Sequence, residues 1–390
     1  MNEPYPIVVL LVPALSIFLA TLIVVYAVTR AAIISTAVAA IKSGIFVFYF
    51  SSVFDGTFTV LDDQTYVAQG IELFNQGIGL FNFLNHLPVV KATSGHSDVV
   101  FYTVYNAQAF RLFGATEYFA PVALNLILIS IMSYIGYQIA KSYLGLNDTE
   151  SRFFFFFLLF QPDILVWSNF LNIKDVLVLV LHVVLLLAVA QFYAGKYMLA
   201  LLAASVSVSV LVITRFYVPV FFAATLVLVV FTSSGGFKIK AMSVAILIAI
   251  SAFVAYQLGS SNLQFAIDLV RNSLVNPFYG FVRFLLTPIP FNTDAEYAFL
   301  DIPAVFHWLL MPFLVLGAYQ VWMMATSFSR FLVLYFMVFL GVYAIVGDLQ
   351  GPRQRVQLDF AIAAFQFIGM LSAYKWVQAR RMLTKAQSIQ

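Results

Sequence analysis

The feature that most constrains this chain is a series of apolar runs, each of roughly 18–24 residues, recurring from Ile7 to about residue 376. A helix of that length rises about 30 Å, the depth of a bilayer's hydrocarbon core. Composition points the same way. Of the 390 residues, 63% are hydrophobic and 9% charged, against about 45–50% apolar and about 25% charged in soluble domains. A chain so poor in polar groups cannot cover a water-soluble surface. The sequence predicts an all-α, polytopic helix bundle in a lipid bilayer.

About eleven spans fit, at about 6–28, 33–53, 118–140, 153–170, 174–195, 197–213, 217–233, 241–258, 304–324, 330–347 and 357–376. Arg30, Lys141 with Arg152, Lys196, Lys238 with Lys240, Arg330, and a tail with Lys375, Arg380, Arg381 and Lys385 fall on alternate turns. The positive-inside rule makes those turns cytoplasmic, with the N-terminus outside and the C-terminus inside. The first run lacks a preceding base and a small-residue cleavage site, so it reads as a retained helix of a plasma or inner membrane protein. Residues 1–390 read as one membrane domain, with outer segments at about 54–117, 259–303 and 348–356. Within the first, 65–84 reads as an amphipathic helix beside the bilayer, and 99–113 as a second helix stopped by Gly114.

Several classes drop out. The net charge of +3 is spread over short loops and reports orientation, not nucleic-acid binding. The absence of cysteine excludes disulfides, thiolate nucleophiles and cysteine metal sites. No phosphate-binding glycine loop, nucleophile elbow or HExxH is present, and no nucleotide-binding domain that would serve an ATP-driven pump.

Charge at membrane depth is costly, so each such residue is a candidate for function. Asp62-Asp63 opens the first outer segment, with Asp55 nearby. Adjacent carboxylates suit a general base and can also hold a divalent cation such as Mg or Mn. The plainer reading is a helix cap, which Asp favours. Asp163, Lys174 and Asp175 bracket the outer turn between the fourth and fifth spans. They read equally as a boundary ion pair or as groups near lipid phosphate. Arg215, Arg271, Arg283, Arg353 and Arg355 also fall on the outer side, where bases are unexpected. An anionic, lipid-linked ligand accounts for them, because guanidinium matches phosphate oxygens bidentately. Individually each is as well explained by snorkelling at the interface. His86, His96, His182 and His307 share no metal-ligand spacing; His182 reads as a bundle-facing residue, and His86 has a weak claim on chemistry. Phe153–Phe157 could line a groove for a lipid tail, but read better as lipid-facing bulk.

The order of these residues carries a resemblance. Leu61-Asp62-Asp63-Gln64-Thr65-Tyr66 opens a long outer segment, whose second helix ends Phe110-Arg111-Leu112-Phe113-Gly114. Pro162, Trp167-Ser168, Lys174-Asp175, Thr214-Arg215-Phe216 and the late Pro352-Arg353-Gln354-Arg355 follow. Over about 33–225 and 345–372 the chain resembles the GT-C glycosyltransferases, which include the dolichyl-phosphate-mannose protein mannosyltransferases and their bacterial relatives. The resemblance implies an inverting transfer of sugar from a polyprenyl-phosphate carrier on the outer membrane face. It implies a base at Asp62 or Asp63 and carrier-phosphate contacts from Arg353 and Arg355, then Arg215, Lys174 and Arg283. Asp55, Tyr66, His86, Asp163 and Asp175 are left for acceptor binding or support. The acid pair runs into Gln64-Thr65-Tyr66 rather than a DxD, so the resemblance does not require a metal. Two other readings stand beside it. One is an O-antigen-type polysaccharide polymerase acting on polyprenyl-diphosphate glycans. The other is a secondary transporter or lipid-linked sugar flippase, against which the unequal outer segments and the lack of an internal repeat weigh.

Overall fold

The computed structural model describes residues 3–59, 61–96, 99–232, 240–241, 244–245, 247–256 and 271–387. Two long helices form the opening hairpin, α1 (Ile7–Thr29) and α2 (Ala32–Phe48), with Arg30 in the left-handed region at the turn. A π-helical turn at Tyr49–Val53 ends the second. The segment that follows forms three shorter helices, α3 (Leu61–Asn75), α4 (Leu87–Ser94) and α5 (Val100–Phe113). α3 and α5 pack on one another, and α5 stops where Gly114 turns left-handed with φ 65°. The expected helix over 65–84 is therefore shorter and earlier, because Gly77 and Gly79 break its second half.

The bundle proper starts with α6 (Phe119–Tyr143). The expected fourth span is instead a bent pair, α7 (Asp148–Phe160) and α8 (Pro162–Phe170), angled 42° to one another. Asn147 and Glu150 form a capping box that starts α7. Pro162 cannot supply the amide that would continue it, so Gln161 caps the restart by accepting from the Ile164 amide at 2.7 Å. The turn between the expected fourth and fifth spans lies at 171–173, where the span bounds put it, while Asp163 sits in the first turn of α8 rather than in a loop. Next come α9 (Lys174–Tyr193), α10 (Tyr197–Val212), α11 (Tyr217–Thr232), α12 (Leu247–Tyr256) and α13 (Pro277–Leu286). The chain closes with α14 (Asp301–Met323), α15 (Ser327–Ile345), the four-residue α16 (Pro352–Arg355) and α17 (Asp359–Gln387).

Among the described residues, seven helical segments are long and apolar enough to cross a membrane, or eight counting the bent pair. The protein is a helical integral membrane protein. The spans expected at 197–213 and 217–233 are 16-residue helices, which rise about 24 Å and fall short of the hydrocarbon depth. The one expected at 241–258 lies partly outside the described residues. Burial separates inner helices from outer ones: 67% of the apolar window of α9 is buried, against 28% for α1. The phenylalanines of α7 divide likewise, Phe154 and Phe155 facing the core and Phe153 outward, so Phe153–Phe157 is not uniform lipid-facing bulk.

Two close contacts hold the late helices. At Gly317 of α14 a Cβ would run into the carbonyl of Phe365, and at Gly369 of α17 into that of Phe313. With little hydrophobic drive between helices in lipid, such backbone approach is a main source of association. Gly280 lets α13 lie on α15 in the same manner, against the carbonyl of Ala344. Charges sort to the two ends of the bundle. One end holds Lys141 and Arg152 on Asp148, at 2.7 and 2.6 Å, and Lys375 on Glu150 at 2.6 Å. The other gathers α3–α5, the turns at 171–173 and 213–216, α13 and α16.

Gly317→Val is expected to cost at least about 1–3 kcal/mol, as overpacked cores do, and to lower the thermal melting point in detergent by several degrees. Gly44→Ala, where a Cβ meets nothing within 4 Å, should melt like the parent. Indistinguishable melting of the two variants would show that the α14–α17 approach is dispensable.

Candidate functional site

The first turn of α3 carries Asp62 and Asp63, a favourable place for acids because free amides and the helix dipole meet them there. Their side chains part company. Asp63 is fully buried and accepts from the Tyr118 hydroxyl at 2.7 Å. That same oxygen accepts from the Asn172 amide at 3.0 Å. Burial first, then the Asp63 carboxylate, pushes the Tyr118 phenol well above its usual range, so it stays a donor. Asn172 is held further by the Tyr102 hydroxyl at 2.7 Å, and it donates to Asn106 at 2.7 Å. Asp63 therefore ties α3 to the 171–173 turn, the lead-in to α9.

Asp62 turns outward, its side chain 53% exposed, and pairs with Arg353 Nη1 at 2.6 Å. The two acids do not share a face, which removes the geometry for one cation held between them. Among the described residues no group of three His, Cys, Asp or Glu could hold a metal ion.

Arg353 leads inward to Asp175. Its Nε lies 2.7 Å from Asp175 Oδ2, and Arg215 Nη2 lies 2.7 Å from Oδ1. Gln357 also donates to Oδ1, at 2.8 Å, while accepting from the Tyr343 hydroxyl at 3.0 Å. Asp175 is fully buried in the first turn of α9 and so receives three side-chain donors plus the helix dipole. Lys174, also buried, adds positive charge beside it. Burial alone would lower the Arg215 pKa, but the Asp175 carboxylate outweighs it and raises it. Tyr66 is buried against Tyr102, with ring centroids 5.0 Å apart, and burial raises its phenol above the usual range.

Around Asp175, among the described residues, three buried donors have no hydrogen-bond partner in the protein: Arg353 Nη2, Arg215 Nε and the Tyr217 hydroxyl. A buried guanidinium N–H left unmet is costly, and an oxyanion would satisfy it bidentately. An apolar cavity of about 480 Å³ lies between α9, α10 and α11, lined by Leu185, Phe192, Met198, Val208, Pro219 and Phe222 among others and by none of the charged residues of the cluster. Pro219 stands one helical turn from Arg215 along the chain.

Other expected residues are placed elsewhere. Arg355, expected on phosphate beside Arg353, points the opposite way from the same short helix. It is 2% exposed, donates to the carbonyls of Thr287 and Leu285, and lies 3.6 Å from Asp163. Asp163 is buried with it. Asp55 is exposed and accepts from the Thr57 amide at 2.8 Å, which holds its carboxyl below the usual range. His86, Arg271 and Arg283 are exposed and form no ion pair among the described residues. Gln357, Tyr118, Asn172, Tyr217 and Asp359 escaped the sequence reading, and His307 was named there without a role. Only Asp359 and His307, charged or polar groups in apolar runs, carry a signal that could have found them.

No family model matches the chain, and neither a curated protein nor a solved structure shows significant similarity to it.

Removing the Asp175 charge leaves the buried Arg215 without its anion and Arg353 with Asp62 alone. Asp175→Asn is expected to cost about 3–5 kcal/mol, the scale for breaking a buried pair, seen as lost folded yield or a large drop in melting temperature. Asp62→Asn, on an exposed carboxylate, should cost under about 1 kcal/mol. Comparable losses in the two would mean that Asp175 is not the hub.

Proposed function

We propose that the protein is a membrane glycosyltransferase that moves a sugar from a polyprenyl-phosphate carrier to an acceptor hydroxyl, with inversion. The observation that carries this reading is the trio of unmet donors, Arg353 Nη2, Arg215 Nε and the Tyr217 hydroxyl, beside an exposed carboxylate, on helices that also line an apolar cavity. The donors suit the carrier phosphate, the cavity suits its isoprenoid tail, and Asp62 is the one acid of the pair that an acceptor can reach. The GT-C resemblance supports the same assignment.

In this mechanism the acceptor oxygen attacks C1 of the sugar while Asp62 takes its proton. The bond from C1 to the phosphate oxygen breaks with its electron pair passing to the phosphate. Arg353 and Arg215 stabilise the charge that develops there. The Asp62–Arg353 pair sets base and phosphate site side by side, and Asp63 positions the base through Tyr118. The cluster faces outside the cell and the Lys141–Arg152 end faces the cytoplasm of a plasma or inner membrane, as the basic turns require. Paired guanidiniums also suit a diphosphate, which favours polymerase chemistry as the second reading.

Purified protein should transfer radiolabelled sugar from a polyprenyl monophosphate. Asp62→Asn should lower kcat by roughly 10²–10⁴, the usual contribution of a general base, with the fold intact. Consumption of a diphosphate-linked glycan instead, with Asp62 dispensable, would move the assignment to a polymerase. Transfer of neither donor would sink both readings. Orientation is tested separately. Because the chain lacks cysteine, Asp55→Cys should be labelled by a membrane-impermeant maleimide added outside intact cells, and Arg152→Cys should not.

A further inference from the structure

α13 has two apolar sides, and only one of them is covered. Gly280, Phe284 and Leu285 are buried, with Gly280 against the Ala344 carbonyl of α15 and the Phe284 ring 5.0 Å from that of Tyr343. Phe278, Tyr279, Phe281 and Val282 are left open by the described residues, Phe278 at 79% exposed and Tyr279 at 62%. Arg283 is exposed on the same helix and forms no ion pair among the described residues. Large apolar side chains grouped in this way on a surface mark a place of contact.

The position of α13 decides what covers that side. Just before the helix, the chain pairs with the end of α15. The Gly347 amide donates to the Ser273 carbonyl at 2.7 Å, and the Val275 amide to the Ile345 carbonyl at 2.9 Å. From there α13 crosses to α14. His307 Nε2 donates to the Leu285 carbonyl at 2.8 Å, Trp308 Nε1 to the Leu286 carbonyl at 3.0 Å, and Arg355 to the Thr287 carbonyl. His307 and Trp308 belong to the second turn of α14, about 10 Å along the helix from its start. Both contacts fall within segments long and apolar enough to cross a membrane, Tyr297–Met323 and Ser327–Ile345. The last carbonyls of a helix have no partner within it. In water solvent meets them, whereas in lipid an unmet carbonyl is costly. Here α14 and α16 supply a side-chain donor to each, as a helix end shut off from water requires. The open side of α13 also continues a lipid-facing surface, because α14 exposes Ile302, Phe306 and Leu309 at helical spacing around the same contact.

We propose that α13 is an interfacial helix whose open side binds the lipids of the adjoining leaflet. Phe278, Phe281 and Val282 share one stripe, at i, i+3 and i+4, and acyl chains pack on it. Tyr279 and Arg283 share the next stripe, at i and i+4. They lie at headgroup level, where Arg283 meets a lipid phosphate with its planar fork. An apolar stripe beside a cationic and aromatic one is the division of a helix lying in the plane of the interface. Arg283 therefore holds membrane phospholipid, and this assignment does not depend on the reaction proposed above.

The test uses the full chain in lipid nanodiscs. Because the chain lacks cysteine, Phe278→Cys, Val282→Cys, Arg283→Cys and Asp55→Cys each place a single nitroxide label. All four positions are exposed, so the variants should melt like the parent. Electron paramagnetic resonance then compares collisions with oxygen, which concentrates in lipid, and with a water-soluble nickel chelate. At Phe278→Cys and Val282→Cys the ratio of oxygen to nickel collisions should exceed that at Asp55→Cys severalfold. Arg283→Cys should give a ratio between the two, as headgroup depth requires. Nickel access at Phe278→Cys and Val282→Cys equal to that at Asp55→Cys overturns the proposal, since the open side then stands in water and suits a protein partner. A ratio at Arg283→Cys as high as at Phe278→Cys places that residue among acyl chains and overturns the phosphate contact.

Discussion

The arrangement turns on a single carboxylate. Asp175 sits at the start of an apolar helix with a guanidinium on each oxygen. In a low-dielectric interior neither the acid nor either base could be held alone. Each therefore fixes the others. Arg215 brings the turn between α10 and α11 to α9, and Arg353 brings α16. Arg353 then carries the link outward to Asp62 on α3. Four segments far apart in sequence are joined through one buried side chain, which is why this end of the bundle has a defined shape.

The backbone makes room for these charges where it stops being regular. Non-helical backbone at membrane depth is tolerated only when it is buried in protein or lines a cavity. The break at Gln161–Pro162 and the 171–173 turn are buried in protein and satisfy that condition, and each delivers polar groups inward. Lys42 shows the same logic. It is fully buried in α2 and donates to the carbonyl of Leu159 at 3.4 Å, in the last turn of α7 before the break. A cation at a helix C-terminus is favourable, so the ends of the broken pair are met by Lys42 on one side and by Asp163 in the first turn of α8 on the other.

The contacts of Arg355 are related to the Asp175 hub through α16. Because that helix has four residues, Arg353 and Arg355 lie on opposite sides of it and face different electrostatic environments. One reaches an accessible carboxylate, the other main-chain carbonyls and a buried acid. Adjacent bases in a sequence thus do different work. Asp62 and Asp63 repeat the pattern on α3, one exposed and one sealed under Tyr118.

By itself the sequence determined the class of solvent and the class of fold. Apolar runs of that length with so few charges have only a helical, membrane-embedded solution, and the basic turns separate the two ends. It also marked Asp62, Asp175, Arg215 and Arg353 as groups out of place in lipid, because the cost of burying charge is a local property of residue type and surroundings. Tertiary structure decided which of those groups meet. Asp62 and Arg353 are 291 positions apart, and no local periodicity reports such a contact. Nor does it report which of two neighbouring acids faces water, since that depends on how far α3 rotates against α5. The break in the fourth span was visible as a proline, but its consequence was not. Whether Asp163 lies at the surface or inside depends on the tilt of α8 against α14, and that tilt is set by packing between helices.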